Sequence, residues 1–204
     1  MARMFAVYVE GIDMAELKTL PDDMLSAARK AVNDAARHGV AVGKDLMRKQ
    51  INFPAGYLDG NSKYGKRFGI ASYASNDKLT AVVRGRDDAT SLARFVVGGP
   101  AAKPKHSGKK QEFGVSVMVD PGKPKEMRSA FVIKLANGNL GLALYDPSGK
   151  GPRNTHGARQ LSKSVWLLYG PSVSQVFDET RNEMRDDLQD YMAKRFNHHL
   201  KVTV

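Results

Sequence analysis

A long run of small apolar residues at helical spacing is the feature that most constrains the fold of this chain. Apolar side chains recur every three or four residues from Leu25 to Leu46, which places them on one face of a helix. Pro21 suits the first turn, and the helix should end at Phe53, because a residue before proline is driven out of the helical region. We expect this face to pack on the core, with a contact between subunits as the alternative. The stripe consists of Leu25, Ala28, Val32, Ala35, Gly39, Val42 and Leu46.

Short apolar runs after this helix predict antiparallel strands. The Asn137-Gly138 pair lies between two such runs and is a strong local signal for a hairpin. An earlier run, Phe5 to Ile12, predicts a strand or an extended arm within residues 1–20. The other predicted strands are 68–73, 79–84, 113–119, 129–135, 140–145 and 165–169.

The end of the chain predicts a second helix. Ser172 suits its N-cap, a stripe of apolar residues runs from Val173 to Met192, and residues 201–204 are a strand or a tail. We therefore expect an α+β fold, in which the long N-terminal helix and the C-terminal helix pack on an antiparallel β-sheet with long basic loops. An N-terminal arm, 1–20, precedes one body, 21–204, which carries loops at 98–112 and 146–162.

The charge is concentrated in the middle of the chain. The whole chain has a formal net charge of +11, and from Arg84 to Lys163 there are 15 Lys plus Arg against 6 Asp plus Glu. The loop at 98–112 is rich in Gly, Pro, Ala and Lys, and the loop at 146–162 is of the same kind, with Lys150, Arg153, His156 and Arg159. Neither can bury enough apolar surface to order by itself. Three roles stay open for them: contact with DNA phosphates, docking onto acidic surfaces of neighbouring subunits, or plain solvated loops.

No set of catalytic or ligand-binding residues emerges from the sequence. Cysteine is absent, which removes disulfides, thiolate nucleophiles and cysteine metal sites. His38 is expected to be simply exposed, and the adjacent His198 and His199 to be incidental surface residues. The glycine-rich pieces lack P-loop spacing, and Asp87-Asp88 is a turn rather than an acid/base pair. We expect no enzyme activity, no cofactor and no metal.

From the sequence we expect neither a membrane span nor a secretory signal. No run approaches the roughly 18 apolar residues that a membrane helix needs, and no long apolar segment follows the N-terminal Arg3. We expect synthesis in a cytoplasm and no membrane partner.

Six stretches of the chain, taken in order, form a recognisable set. They are Lys49-Gln50-Ile51-Asn52-Phe53-Pro54-Ala55-Gly56-Tyr57-Leu58, 79–87, 90–95, 114–117, the hairpin 130–145, and Leu168-Tyr169-Gly170-Pro171-Ser172-Val173. In order and spacing they resemble the prophage minor tail protein Z family, the tail completion proteins of long-tailed phages. The resemblance covers most of the chain from about the first helix onward.

The resemblance implies a virion protein that completes the tail top and forms part of the head–tail neck. It implies a homo-oligomeric ring, which we expect to be a hexamer, and it implies contact with tail terminator and head–tail connector proteins. DNA passing through the lumen is a possible further partner. The alternative function is sequence-nonspecific DNA binding through the basic middle segment. Candidate contacts for DNA or a partner protein are Lys103, Lys105, Lys109, Lys110, Lys150 and Arg153.

Overall fold

The computed structural model of the protein describes residues 4–8, 21–62, 65–99, 114–152 and 157–203. The chain is α+β, with helices and antiparallel sheets, as predicted. It divides into two compact units. The first unit comprises Met1–Met47, Leu58–Asp87 and Val173–Val204, and the second comprises Arg48–Tyr57 and Asp88–Ser172.

The first unit contains a small antiparallel sheet and the long helices. Its elements are β1 (Met4–Tyr8), α1 (Asp22–Gln50, of which residues 48–50 belong to the second unit), β2 (Asn61–Ser62), β3 (Gly65–Lys66), β4 (Phe68–Ser72), β5 (Thr80–Gly85), α2 (Val173–Thr180) and α3 (Arg185–Thr203). The strands of the sheet lie in the order β1-β5-β4. Strand β1 forms where the sequence predicts a strand or arm, and it pairs with β5 so that Met4 lies opposite Arg84 and Tyr8 opposite Thr80.

The long helix is confirmed, and its buried face differs slightly from the predicted stripe. The buried positions at its carboxyl end are Gly43 and Met47, whereas Val42 and Leu46 are only half-buried. Successive steps of four residues rotate the buried face by about 40° each, so it moves away from the three-and-four pattern of the stripe. The small residues of α1 face the chain's own side chains, which confirms the expectation of a core-facing helix.

The glycines of α1 admit large side chains from the rest of the first unit. A β-carbon on Gly43 would lie 3.1 Å from Phe177 Cε2 and 3.2 Å from Phe68 Cζ. The two phenyl rings meet edge to face with centroids 4.7 Å apart. These contacts pack α1 against both β4 and α2, so helix and sheet share one core.

The C-terminal helix begins where predicted but is not continuous. It starts directly after the buried Ser172, and a 3-10 helix, Arg181–Met184, separates α2 from α3. The buried Thr180 hydroxyl donates to the carbonyl of Phe177 at 3.1 Å just before this change. Residues 201–203 continue α3, so the prediction of a strand or tail there was wrong.

The second unit is built on a five-stranded antiparallel sheet. The elements of this unit are β6 (Ala89–Ser91), a 3-10 helix (Leu92–Phe95), β7 (Val115–Val117), β8 (Lys125–Met127), β9 (Ala130–Lys134), β10 (Leu140–Tyr145), β11 (Ala158–Ser162) and β12 (Val165–Ser172). Four strands lie in the order β11-β12-β10-β9, and β6 pairs with the end of β12. The hairpin at Asn137-Gly138 is confirmed, since Gly138 N donates to Leu135 O at 2.9 Å and Leu140 pairs with Lys134.

The predicted loop 146–162 is wrong over its last residues, which form β11. This strand lies at the edge of the sheet, and its residues Arg159–Ser162 are all exposed. An edge strand with exposed side chains does not need alternating apolar residues, so its sequence carries no strand pattern. The other predicted loop, 98–112, lies outside the described residues except for Gly98 and Gly99.

Candidate partner-binding surface

The two units differ sharply in charge. The second unit holds 15 Lys plus Arg against 5 Asp plus Glu, a balance of +10, and the first holds 17 against 16, a balance of +1. Nearly all of the net charge therefore belongs to the second unit. Every lysine and arginine that the structure describes in the second unit is exposed: Arg48, Lys49, Arg94, Lys123, Lys125, Arg128, Lys134, Lys150, Arg159 and Lys163.

The segment after β10 is a folded turn, which corrects the expectation of a mobile loop there. The Asp146 carboxylate accepts hydrogen bonds from the Ser148 backbone N at 3.0 Å, the Ser148 hydroxyl at 2.7 Å and the Gly151 backbone N at 2.8 Å. The Ser148 hydroxyl and then the Gly151 amide hold the pKa of Asp146 below its usual value. An aspartate that binds backbone N–H groups ahead of it in the chain is a recognised turn former.

This turn lies against the connection between β11 and β12 and brings two lysines to the same place. Asp146 N donates to Ser164 O at 2.8 Å. A β-carbon on Gly149 would lie 3.1 Å from Lys163 O. Lys150 follows Gly149 directly, so the exposed Lys150 and Lys163 project from adjacent backbone segments at one end of the sheet.

Two exposed apolar side chains share this end of the sheet. Tyr145 and Leu161 each keep 42% of their surface exposed. Tyr145 lies opposite Val165, which also pairs with Ser162, and Leu161 sits in the bulge just before Ser162. We call the set Tyr145, Lys150, Leu161 and Lys163 the basic sheet end. Exposed apolar side chains beside exposed positive charge are typical of surfaces that bind a partner.

Of the sequence-predicted contact residues, only Lys150 lies within the described part of the chain. Lys103, Lys105, Lys109, Lys110 and Arg153 lie outside the described residues. Sequence reasoning missed Lys163, Tyr145 and Leu161 as neighbours of Lys150. The Asp146-Pro147-Ser148-Gly149 stretch carries the turn signal that would have placed Lys150 on a fixed turn.

Of the three histidines of the first unit, His198 is exposed, as the sequence predicted, whereas His38 and His199 make contacts that the sequence did not predict. His38 stacks on Tyr191 with ring centroids 4.1 Å apart and contacts the Asp187 carboxylate at 2.8 Å. His199 Nε2 lies 2.8 Å from Asp34 Oδ2. Both contacts join α1 to α3, and periodicity on a single helix does not reveal them.

Asp34 is the centre of a compact ionic cluster. Arg195 Nε donates to its Oδ2 at 2.7 Å, and Arg37 pairs with Oδ1 at 2.8 Å. Burial raises the pKa of Asp34, but the hydrogen bonds from His199 and Arg195 outweigh burial and lower the pKa below its usual value. Among the described residues, no group of three or more His, Cys, Asp or Glu side chains is placed to hold a metal ion. The cluster joins α1 to α3.

A small basic cleft also lies in the first unit, with a volume of about 190 Å³. Its charged lining residues are Arg37, Lys44, Asp59 and Lys66, and Tyr73 closes one side. Arg37 already pairs with Asp34, and Lys44 pairs with Asp59. Most of the cleft's positive charge is thus matched within the chain.

No protein-family model, curated protein or solved structure matches this chain. None of the helices in the described residues combines the length and the apolar character needed to cross a membrane.

Proposed function

We propose that the chain is a non-enzymatic structural protein of a long-tailed phage virion, which completes the tail top and forms part of the head–tail neck. The family resemblance of the ordered sequence stretches is the origin of this proposal. In this proposal the protein forms a hexameric ring and contacts the tail terminator and the head–tail connector. It is assembled in the host cytoplasm and ends at the neck of the virion.

The observation that supports this function best is the separation of charge between the units. A nearly neutral unit with a helix-on-sheet core suits the body of a subunit. A unit with a charge balance of +10, whose described lysines and arginines are all exposed, suits a surface that meets acidic neighbours or DNA. The contacts of Asp34 with Arg195 and of Asp187 with His38 join two helices of the first unit, which suits a structural role.

Electron microscopy of purified tails and complete virions, with this protein labelled, tests the proposal. Label in a ring at the tail top or the neck is the expected result, and it would also give the number of copies. Label absent from tails and virions would reject the structural role.

The second candidate is a sequence-nonspecific DNA-binding protein, and the +10 charge of the second unit favours it as well. The two candidates differ in what the isolated protein does. A DNA-binding protein would bind duplex DNA with an affinity that falls steeply with salt and ignores sequence. Titration of labelled duplexes of two unrelated sequences at several salt concentrations measures this. A shallow salt dependence and weak binding favour the virion protein.

A further inference from the structure

The C-terminal helices of the first unit carry an acidic face. Between residues 178 and 190 there are 6 Asp or Glu against 2 Arg. Glu179, Glu183, Asp186 and Asp190 follow each other at spacings of four, three and four along α2, the 3-10 helix and α3, where they alternate with the buried Thr180, Met184 and Leu188. All four are exposed. We call them the acidic helix face.

The opposite side of the same segment is fixed in the core. Phe177, Thr180, Met184 and Leu188 are buried. Two other acids of the segment bind within the chain, Asp178 to Arg181 at 3.1 Å and Asp187 to His38 at 2.8 Å. The packing of these buried residues therefore fixes the position of the acidic helix face, whose four acidic residues are exposed.

The basic sheet end has the composition of a surface that binds a protein. Its two lysines attract acidic groups, and the exposed Tyr145 and Leu161 beside them offer apolar surface. Proteins contact the backbone of duplex DNA mainly through hydrogen bonds to phosphate and sugar, in which a leucine side chain takes no part. An amphipathic protein surface with carboxylates fits both the charged and the apolar parts.

Copies of a chain with a net charge of +11 repel each other unless opposite charges meet locally. A ring of identical subunits requires a heterologous interface, in which two different surfaces of one chain meet. The chain has one surface of each sign: the acidic helix face in the first unit and the basic sheet end in the second.

We infer that the basic sheet end of one copy docks onto the acidic helix face of a second copy of this chain, and that this contact closes the ring. The inference rests on the proposed function, because it concerns the interface of the proposed ring.

Charge reversal of either surface, and of both together, tests the inference. Lys150→Glu with Lys163→Glu reverses the basic sheet end, and Glu183→Lys with Asp186→Lys reverses the acidic helix face. The combined variant reverses both and keeps the net charge of the wild-type chain. Lys123→Glu with Lys125→Glu is the matched control, since it makes the same change of charge at exposed positions elsewhere in the second unit.

Each variant is supplied to a phage that lacks the gene, and the protein content of purified particles is measured. We expect each single-surface variant to be lost from particles, because like charges then meet. The combined variant, an equal mixture of the two single-surface variants, and the control should all be incorporated. Thermal unfolding of each purified variant checks that the fold is kept, and rescue by mixing requires both partners to be folded.

The outcomes separate the interface from the function. Wild-type protein that is absent from particles would reject the proposed function and the inference with it. Wild-type protein in particles, with normal incorporation of the single-surface variants or no rescue in the combined variant, would reject the interface alone. Normal incorporation of the Lys150→Glu, Lys163→Glu variant into particles that fail to deliver DNA would reject the interface and assign the basic sheet end to DNA.

Discussion

Gly151 lies against the indole ring of Trp166 so closely that a β-carbon on this glycine would be 2.6 Å from Cε2 of the ring. The glycine also has a φ of +79°, which other residues adopt only with strain. The turn that presents Lys150 is thus fixed at one end by Asp146 and at the other by this contact. The turn therefore requires glycine at position 151 both for the positive φ and for the close contact with Trp166.

We therefore expect Gly151→Ala to destabilise the protein by about 2–4 kcal/mol, from backbone strain plus the displacement of Trp166. Gly122→Ala is the matched control, because Gly122 has a φ of +74° and nothing near its β-carbon position. That control should cost only about 1–2 kcal/mol. Urea unfolding followed by the fluorescence of Trp166, the one tryptophan of the chain, measures both. Equal losses in the two variants would contradict the contact.

The carboxylate of Asp146 should hold the turn in place above acidic pH. In Asp146→Ala the amides of Ser148 and Gly151 lose their acceptor, so we expect faster hydrogen exchange in residues 147–151. Because the pKa of the Asp146 carboxyl is lowered in the folded protein, the stabilisation that the carboxylate gives is present above the pKa of the unfolded chain. That stabilisation is lost as the pH falls through the pKa of the folded protein.

Asp120→Ala is the control for that experiment. The turn at Asp120 is held through its backbone carbonyl, which accepts from Lys123 N at 3.1 Å, so removing the side chain should leave exchange at Lys123 unchanged. Hydrogen exchange measured by mass spectrometry reports both turns in one sample. An unchanged exchange rate at 147–151 in Asp146→Ala would show that the carboxylate is dispensable.

The parts of the structure that the sequence predicted are those encoded by neighbouring residues. The Asn137-Gly138 hairpin and the long helix before Pro54 depend on local turn chemistry and on periodicity, and both are confirmed. The edge strand β11 has exposed polar residues, and no local pattern distinguishes it from a loop. Its position is set by pairing with β12, which only the folded chain provides.

The candidate surface was predictable only in part, because its members come from separate segments. Lys150 was identified from the charge of its loop. Lys163 and Leu161 join it through the pairing of β11 with β12, and Tyr145 joins it through the pairing of β10 with β12. Contacts such as that of Asp34 with His199, which are 165 positions apart in the chain, carry no local signal at all.

Removing the charge of Asp34 should weaken the attachment of α3 to α1. Asp34→Asn replaces an ionised acceptor shared by Arg195 and His199, and charge-assisted hydrogen bonds of this kind contribute about 1.5–3 kcal/mol. The folded-state pKa of Asp34 is lowered, so its stabilisation is complete above the unfolded pKa near 3.8 and disappears as pH falls below it. The stability difference between wild type and variant should therefore shrink as the pH falls through the acidic range.

Urea unfolding from neutral pH down to acidic pH checks this prediction, with Asp77→Asn as the control at an exposed position of the same unit. The control should change stability by less than about 0.5 kcal/mol. A difference for Asp34→Asn that stays the same at every pH would mean that packing, and not the carboxylate charge, accounts for the loss.

The two central glycines of α1 should respond oppositely to alanine. A β-carbon on Gly39 would lie 3.3 Å from the ends of the flexible Leu188 and Met184 side chains, which can shift slightly. At Gly43 the neighbours are the rings of Phe68 and Phe177, which are stiff and packed against each other. Alanine in a helix is favoured over glycine by about 1 kcal/mol, and overpacking costs about 1–3 kcal/mol. We expect Gly39→Ala to be neutral or up to about 1 kcal/mol more stable, and Gly43→Ala to be about 1–2 kcal/mol less stable. Urea unfolding of the two variants measures this difference in stability. Helix propensity contributes equally to both variants, so the difference between them reports the packing around each glycine. Equal stabilities would mean that the aromatic pair moves as easily as Met184 and Leu188.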